Sequence, residues 1–138
     1  MLKFLALLIL TFLFSSSIST IYAADETTIL LAEINEFRQE NNLPPVKTDP
    51  RTCNFAALRA KEIAKEFSHD GFYERVKGKT MPYPSYKLVT ENLARTTRKN
   101  AVKLWKDSPG HAANMLKQTS LVCVEKHGNF YAYEGLEI

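Results

Sequence analysis

The end of the chain breaks with everything before it. Ser120-Leu-Val-Cys-Val124 and Phe130-Tyr-Ala-Tyr133 are β-branched and aromatic runs flanking His127-Gly128-Asn129, the pattern of a β-hairpin. Upstream, apolar residues recur at helical spacing instead. Leu30, Leu31, Ile34 and Phe37 stand among Glu33, Glu36, Arg38 and Glu40, and the run stops at Asn41-Asn42 before Pro44-Pro45; this predicts a first amphipathic helix. A second starts with Asp49 as cap and Pro50 at the first helical position. Its Ala56, Ala57, Ala60, Ile63, Ala64 and Phe67 make a small-residue stripe that lets another element approach closely. From Gly71 to Lys87 the periodicity fails, and Gly78, Pro82 and Pro84 predict an irregular excursion carrying Phe72, Tyr73, Tyr83 and Tyr86. A long loop in a small domain is often functional. A third helix is expected from about Thr97 to Lys106 with Ala101, Val102, Leu104 and Trp105 inward, and Ser108-Pro109 restarts a short fourth. No internal repeat or second domain is visible.

The first residues bear on compartment. Lys3 supplies a positive charge, Phe4 to Phe14 is apolar apart from Thr11, and Ile21-Tyr22-Ala23 has the small and aliphatic residues a signal peptidase reads. Residues 1–23 are therefore expected to be a signal peptide, with the mature chain starting at Ala24 or Asp25. The apolar run is short for a bilayer, which needs about 20 apolar residues, so no stable membrane span is expected after cleavage. The reading is a secreted protein, periplasmic if the source has an outer membrane. Net charge is +3 over 138 residues and falls by one when Lys3 is removed; so mild a balance argues against nucleic acid as the main partner. Cys53 and Cys123 are the only cysteines. In an exported protein an even pair reads as a disulfide, the alternative being two buried thiols.

Two histidines sit in recognisable frames, Phe67-Ser68-His69-Asp70-Gly71 and Trp105-Lys106-Asp107-Ser108-Pro109-Gly110-His111, with Glu91-Asn92-Leu93-Ala94 between them. Two imidazoles and a carboxylate are the residue types that a divalent-metal site or an acid/base centre needs. Ser108 as cap puts His111 in the first turn of a helix, where the positive end of the dipole favours the neutral ring. His69 is expected directly after the second helix, anchored by Phe67. His69, Glu91 and His111 with an open position match a labile zinc site, and the same trio can also hydrogen-bond through ordered water. His127 reads as a solvated turn residue and Trp105 as core. Arg95, Arg98, Lys99, Lys103 and Lys106 read as a solvated face, with an anionic lipid or cell-wall polymer as the sharper alternative. Glu74 can reach the cleft from the loop. No Ser, Cys or Thr stands in a nucleophile frame, because Ser68 and Ser108 have structural explanations.

Leu43-Pro44-Pro45-Val46-Lys47-Thr48-Asp49-Pro50-Arg51, the helix ending in Phe67-Ser68-His69, Glu91-Asn92-Leu93-Ala94, and Trp105 followed by Ser108-Pro109-Gly110-His111 and Asn114-Met115-Leu116 together resemble the CAP superfamily, the SCP-like extracellular domain, in its short bacterial branch. The resemblance runs in order from about Thr28 to the end and makes residues 24–138 one domain. It implies an α+β fold, a three-layer α-β-α sandwich with a small antiparallel sheet, and a central cleft lined by His69, Glu91 and His111. Ser108 stands where many eukaryotic relatives carry a second acid, with Asp107 one residue short, and Thr90 where relatives usually carry glycine. The family is associated with sterol and lipid binding, so the implied function is a non-catalytic module holding a small-molecule or lipid ligand, with zinc as the implied metal. A metal-assisted or histidine-based hydrolase is the alternative.

Overall fold

The computed structural model describes residues 25–138; the expected signal segment and the mature start at Ala24 lie outside the described residues. The elements run α1 (Glu26–Glu40), α2 (Pro50–Ile63), α3 (Asp70–Gly78), β1 (Leu88–Arg95), α4 (Arg98–Lys106), α5 (Pro109–Met115), β2 (Leu121–His127) and β3 (Phe130–Glu137). Local chemistry explains the boundaries. The Asp49 carboxylate accepts the Arg51 and Thr52 N–H groups at the start of α2. α1 stops where Asn42 turns left-handed, at φ 58°, and Leu43 N–H reaches back to the Arg38 carbonyl, a C-terminal closure that asparagine tolerates well.

The three strands are antiparallel in the order β1-β3-β2, so the last strand in sequence is the central one. Side chains alternate across it. Tyr131 and Tyr133 point into a core shared with Leu30 and Ile34 of α1, Val102 and Trp105 of α4, and Met115 of α5. On the opposite face Ala132 packs against Ala60 and Ile63 of α2, and Leu136 joins Phe55, Phe72, Met81 and Tyr83. Helices cover both faces of a small sheet, giving the expected three layers. Cys53 of α2 is disulfide-bonded to Cys123 of β2, with Cα atoms 5.0 Å apart.

Several expectations need correction. The excursion from Gly71 to Lys87 is not irregular throughout: it begins with α3, whose apolar face is only Phe72 and Val76, one turn apart. Lys79, left-handed at φ 56°, closes the helix. Two apolar positions are too few to show a period. β1 received no assignment from the sequence. Phe67 is 51% exposed and lies beyond the end of α2, and Leu104 is 47% exposed rather than inward; Trp105 and Ala101 suffice to bury α4. Ser108 precedes α5, yet its hydroxyl makes no capping bond. Its backbone engages instead, the carbonyl accepting the Ala112 N–H and the N–H donating to the Trp105 carbonyl.

Candidate functional site

β1 is an edge strand, and its outer edge is covered by side chains from α4 and α5. Asn114 Nδ2 donates to the Glu91 carbonyl at 3.1 Å and to Asn92 Oδ1 at 2.9 Å. Trp105 Nε1 donates to the Leu93 carbonyl at 3.0 Å, and Asn92 Nδ2 donates to the His111 carbonyl at 2.9 Å. An exposed strand edge is an aggregation hazard; here the Glu91-Asn92 and His111-to-Asn114 segments close it together. Their second effect is positional. They bring the first turn of α5 to the strand that carries Glu91.

His69 arrives from the other layer. It stands six residues after α2, at the start of α3, and its ring lies 6.4 Å from that of His111, centroid to centroid. His69 Nδ1 is 2.8 Å from Glu91 Oε1. The structure thus brings all three expected residues together where the two helical layers meet at the β1 edge. Tyr73, 61% exposed, has its ring centroid 5.9 Å from that of His69.

Sequence reasoning missed two residues that decide the electrostatics. Arg59 of α2 donates through Nε to Glu91 Oε2 at 2.6 Å and through Nη2 to Oε1 at 3.3 Å, and both side chains are essentially buried. Glu134 is paired with Glu91 across the β1–β3 ladder and is buried. Both were legible in principle. Arg59 interrupts the buried stripe of Phe55, Ala56, Ala60 and Ile63, and Glu134 sits between Ala132 and Leu136 on an inward face. A charge on an apolar face is informative because it must be paired.

Burial pushes the Glu91 carboxyl up, but hydrogen bonds from His69 and Arg59 outweigh it and hold the group below the usual carboxylate range. Glu134 moves the other way, well above the usual range, through burial and then the negative charge of Glu91. Glu91 is therefore the ionised member and Glu134 the protonated one. An ionised Glu91 accepts, so the His69 Nδ1 that faces it carries a proton and Nε2 is the nitrogen turned away from the carboxylate. Burial and then the neighbouring His69 lower the His111 pKa, which keeps the ring neutral; the helix terminus invoked from sequence acts in the same sense. Glu91 reaches the cleft as the partner of His69, with both oxygens already bonded.

Other expected residues fall elsewhere. His127 is exposed at the end of β2. Glu74 lines a cavity between α2 and α3 together with Arg59 and Arg75. The basic face is largely paired: Arg98 with Glu33, Lys106 with Glu40 and Lys103 with Asp107, while Arg95 lies over the Phe130 ring. Trp105 is fully buried. Among the described residues the one tight group of three potential ligand side chains is Cys53, Cys123 and Glu125, and its sulfurs are bonded to each other.

Residues 31–122 match the family model of the cysteine-rich secretory protein family, CAP, and the chain belongs to that family. Solved structures agree with the fold. An extracellular protein containing an SCP domain from Bacillus anthracis str. Ames superposes with a TM-score of 0.70 at 24% identity, over 82% of this chain and 40% of that one. A cysteine-rich secretory protein from Staphylococcus aureus subsp. aureus Mu50 gives 0.68 at 19% identity, over 82% and 39%. An outer surface protein from Borrelia burgdorferi gives 0.67 at 21% identity, over 80% and 90%. The chain thus spans about two fifths of the length of the first two. No curated protein sequence matches it. No helix among the described residues is long and apolar enough to cross a membrane.

Proposed function

We propose that this CAP domain works outside the cell as a binding module, and that His69 and His111 hold a divalent metal of the zinc class at the β1 edge. The observation that carries the reading is the 2.8 Å contact between His69 Nδ1 and Glu91. A carboxylate on the far nitrogen of an imidazole fixes its tautomer and raises its basicity as a ligand. His111, held neutral, supplies the second nitrogen, and neutral imidazole is the ligating form. This donor set fits zinc with positions left open; a bound ion would supply a Lewis-acidic centre there. Glu91 acts from behind His69. The exposed ring of Tyr73 beside His69 offers an aromatic wall for a small ligand, of which a lipid or sterol is one class. The extracellular placement is supported by the descriptions of the Bacillus and Borrelia proteins as extracellular and outer surface.

Titration calorimetry with zinc on metal-free protein tests the site. His69→Ala and His111→Ala are each expected to lose most of the binding, and His127→Ala to keep it. Affinity should fall as pH drops through the histidine range, because the metal competes with protons for the rings. Equal binding by all three variants would place the site elsewhere. Hydrolysis, with His69 Nε2 as base toward water, draws on the same Glu91 contact. Water would have to be the nucleophile, because neither nearby serine stands in a nucleophile frame: the Ser68 hydroxyl accepts the Asp70 N–H at 3.2 Å, and Ser108 sits at the N-terminus of α5. Ester hydrolysis lost in His69→Ala at an unchanged melting temperature would favour it.

A further inference from the structure

We infer that Arg59 is the positioning residue of this cleft and that Gly71 lacks a side chain so that Arg59 can reach it; the inference rests on the reading of His69 as the group that faces the ligand. Arg59 fixes His69 twice. Its Nε and Nη2 hold the Glu91 carboxylate that accepts from His69 Nδ1, and Nη2 also donates at 2.9 Å to the carbonyl of Ser68, the residue entering His69. Side chain and backbone of His69 are thus set by one guanidinium. Nη1 turns the other way and bonds Glu62. Glu62 in turn accepts from Arg75 at 2.6 and 3.1 Å, and Arg75 Nη1 donates to the Gly71 carbonyl at 2.6 Å. The chain runs from a buried arginine to a half-exposed ion pair on the wall of the α2–α3 cavity, of about 780 Å³.

Gly71 lies where this chain passes α3. A Cβ there would run into Arg59 Nη1 and would stand 2.9 Å from Glu62 Oε2. The guanidinium cannot move aside cheaply, because three different groups hold it. This gives the His69-Asp70-Gly71 sequence a physical reading: the histidine faces the cleft, and the glycine two residues later makes room for the arginine that holds it. Lysine is no substitute for Arg59, since a single ammonium cannot hold a carboxylate in a two-point grip and reach a carbonyl beside it.

The test reads His69 itself, in metal-free protein labelled with 15N histidine. Wild-type His69 should show one ring tautomer, with the proton on Nδ1. Gly71→Ala and Arg59→Lys should each give a mixture of tautomers and a zinc affinity lower by about tenfold, the lower end of what loss of an outer partner costs. Gly78→Ala, whose Cβ would meet nothing closer than 3.6 Å on the same helix, should leave both unchanged. A folded Gly71→Ala or Arg59→Lys protein with the wild-type tautomer overturns the inference. Should both variants fail to fold, Glu62→Gln at the outer end decides, with a smaller shift toward mixed tautomers expected and an unchanged spectrum overturning it. Tautomers are read without metal, so the two ideas fail separately. Unlocked tautomers in a protein whose every form ignores zinc would uphold the role of Arg59 and remove the metal reading.

Discussion

Glu134 lies directly across the β1–β3 ladder from Glu91, and like charges in that position repel. The conflict is resolved by protonation, since burial and the Glu91 charge raise the Glu134 pKa well above 4.5. The sign of the pH effect follows. Between the unfolded value and the raised one the native state binds more protons than the unfolded state, so this group lowers stability as pH rises through that window. Glu134→Gln keeps the neutral shape and should be more stable than wild type at neutral pH, with a gain that grows from about pH 4.5 upward; urea unfolding across pH reads it. His111 works oppositely. Its lowered folded pKa means that the unfolded state binds more protons below 6.5, so the contribution is present above 6.5 and lost as pH falls toward the folded value. His111→Gln should abolish that acid-side loss in the same measurement. His69, Glu91 and His111 were legible in the sequence because each stands in a motif. Arg59 and Glu134 were not singled out: a charge on an apolar stripe announces that it must be paired, but not with which residue, and the shared partner Glu91 lies on a separate element from Arg59 and across the sheet from Glu134.

Among the elements, α5 and β1 are joined by side-chain hydrogen bonds rather than by a ladder. Asn114 bridges the Glu91 carbonyl and the Asn92 side chain, so Asn114→Ala leaves a half-buried acceptor without its donor and should cost about 1–3 kcal/mol. Thermal unfolding measures the loss, and amide exchange should rise first along β1. Ser108→Ala, by contrast, should cost well under the roughly 1 kcal/mol of a working cap, because the Ser108 hydroxyl makes no capping bond; a larger drop in melting temperature would contradict this. The helices with strong punctuation were legible: Asp49-Pro50 opens α2, and Asn41-Asn42 ends α1. β1 escaped for a specific reason. Thr90 to Ala94 are all buried, so polar and apolar residues do not alternate, and its Glu and Asn are tolerated inside only because Arg59, His69 and Asn114 pair with them.

At the scale of the molecule, the disulfide ties α2 to β2 across a separation of 70 residues, which stabilises the fold by about 4 kcal/mol in the chain-entropy picture. Cys53→Ala with Cys123→Ala should lower the unfolding free energy by roughly that amount, while wild-type protein in the presence of reductant should approach the same value; denaturant titration compares them. The bridge fastens the edge strand farthest from the two histidines, so the double variant, while folded, should retain the zinc affinity of the parent. The middle position of β3 has a consequence for timing. Neither β1 nor β2 has a sheet partner until Phe130–Glu137 has been synthesised, so a ribosome must pass every other element of the domain before any of the sheet can close. The helices can form on the way, but the domain stays open to handling by other machinery until β3 emerges.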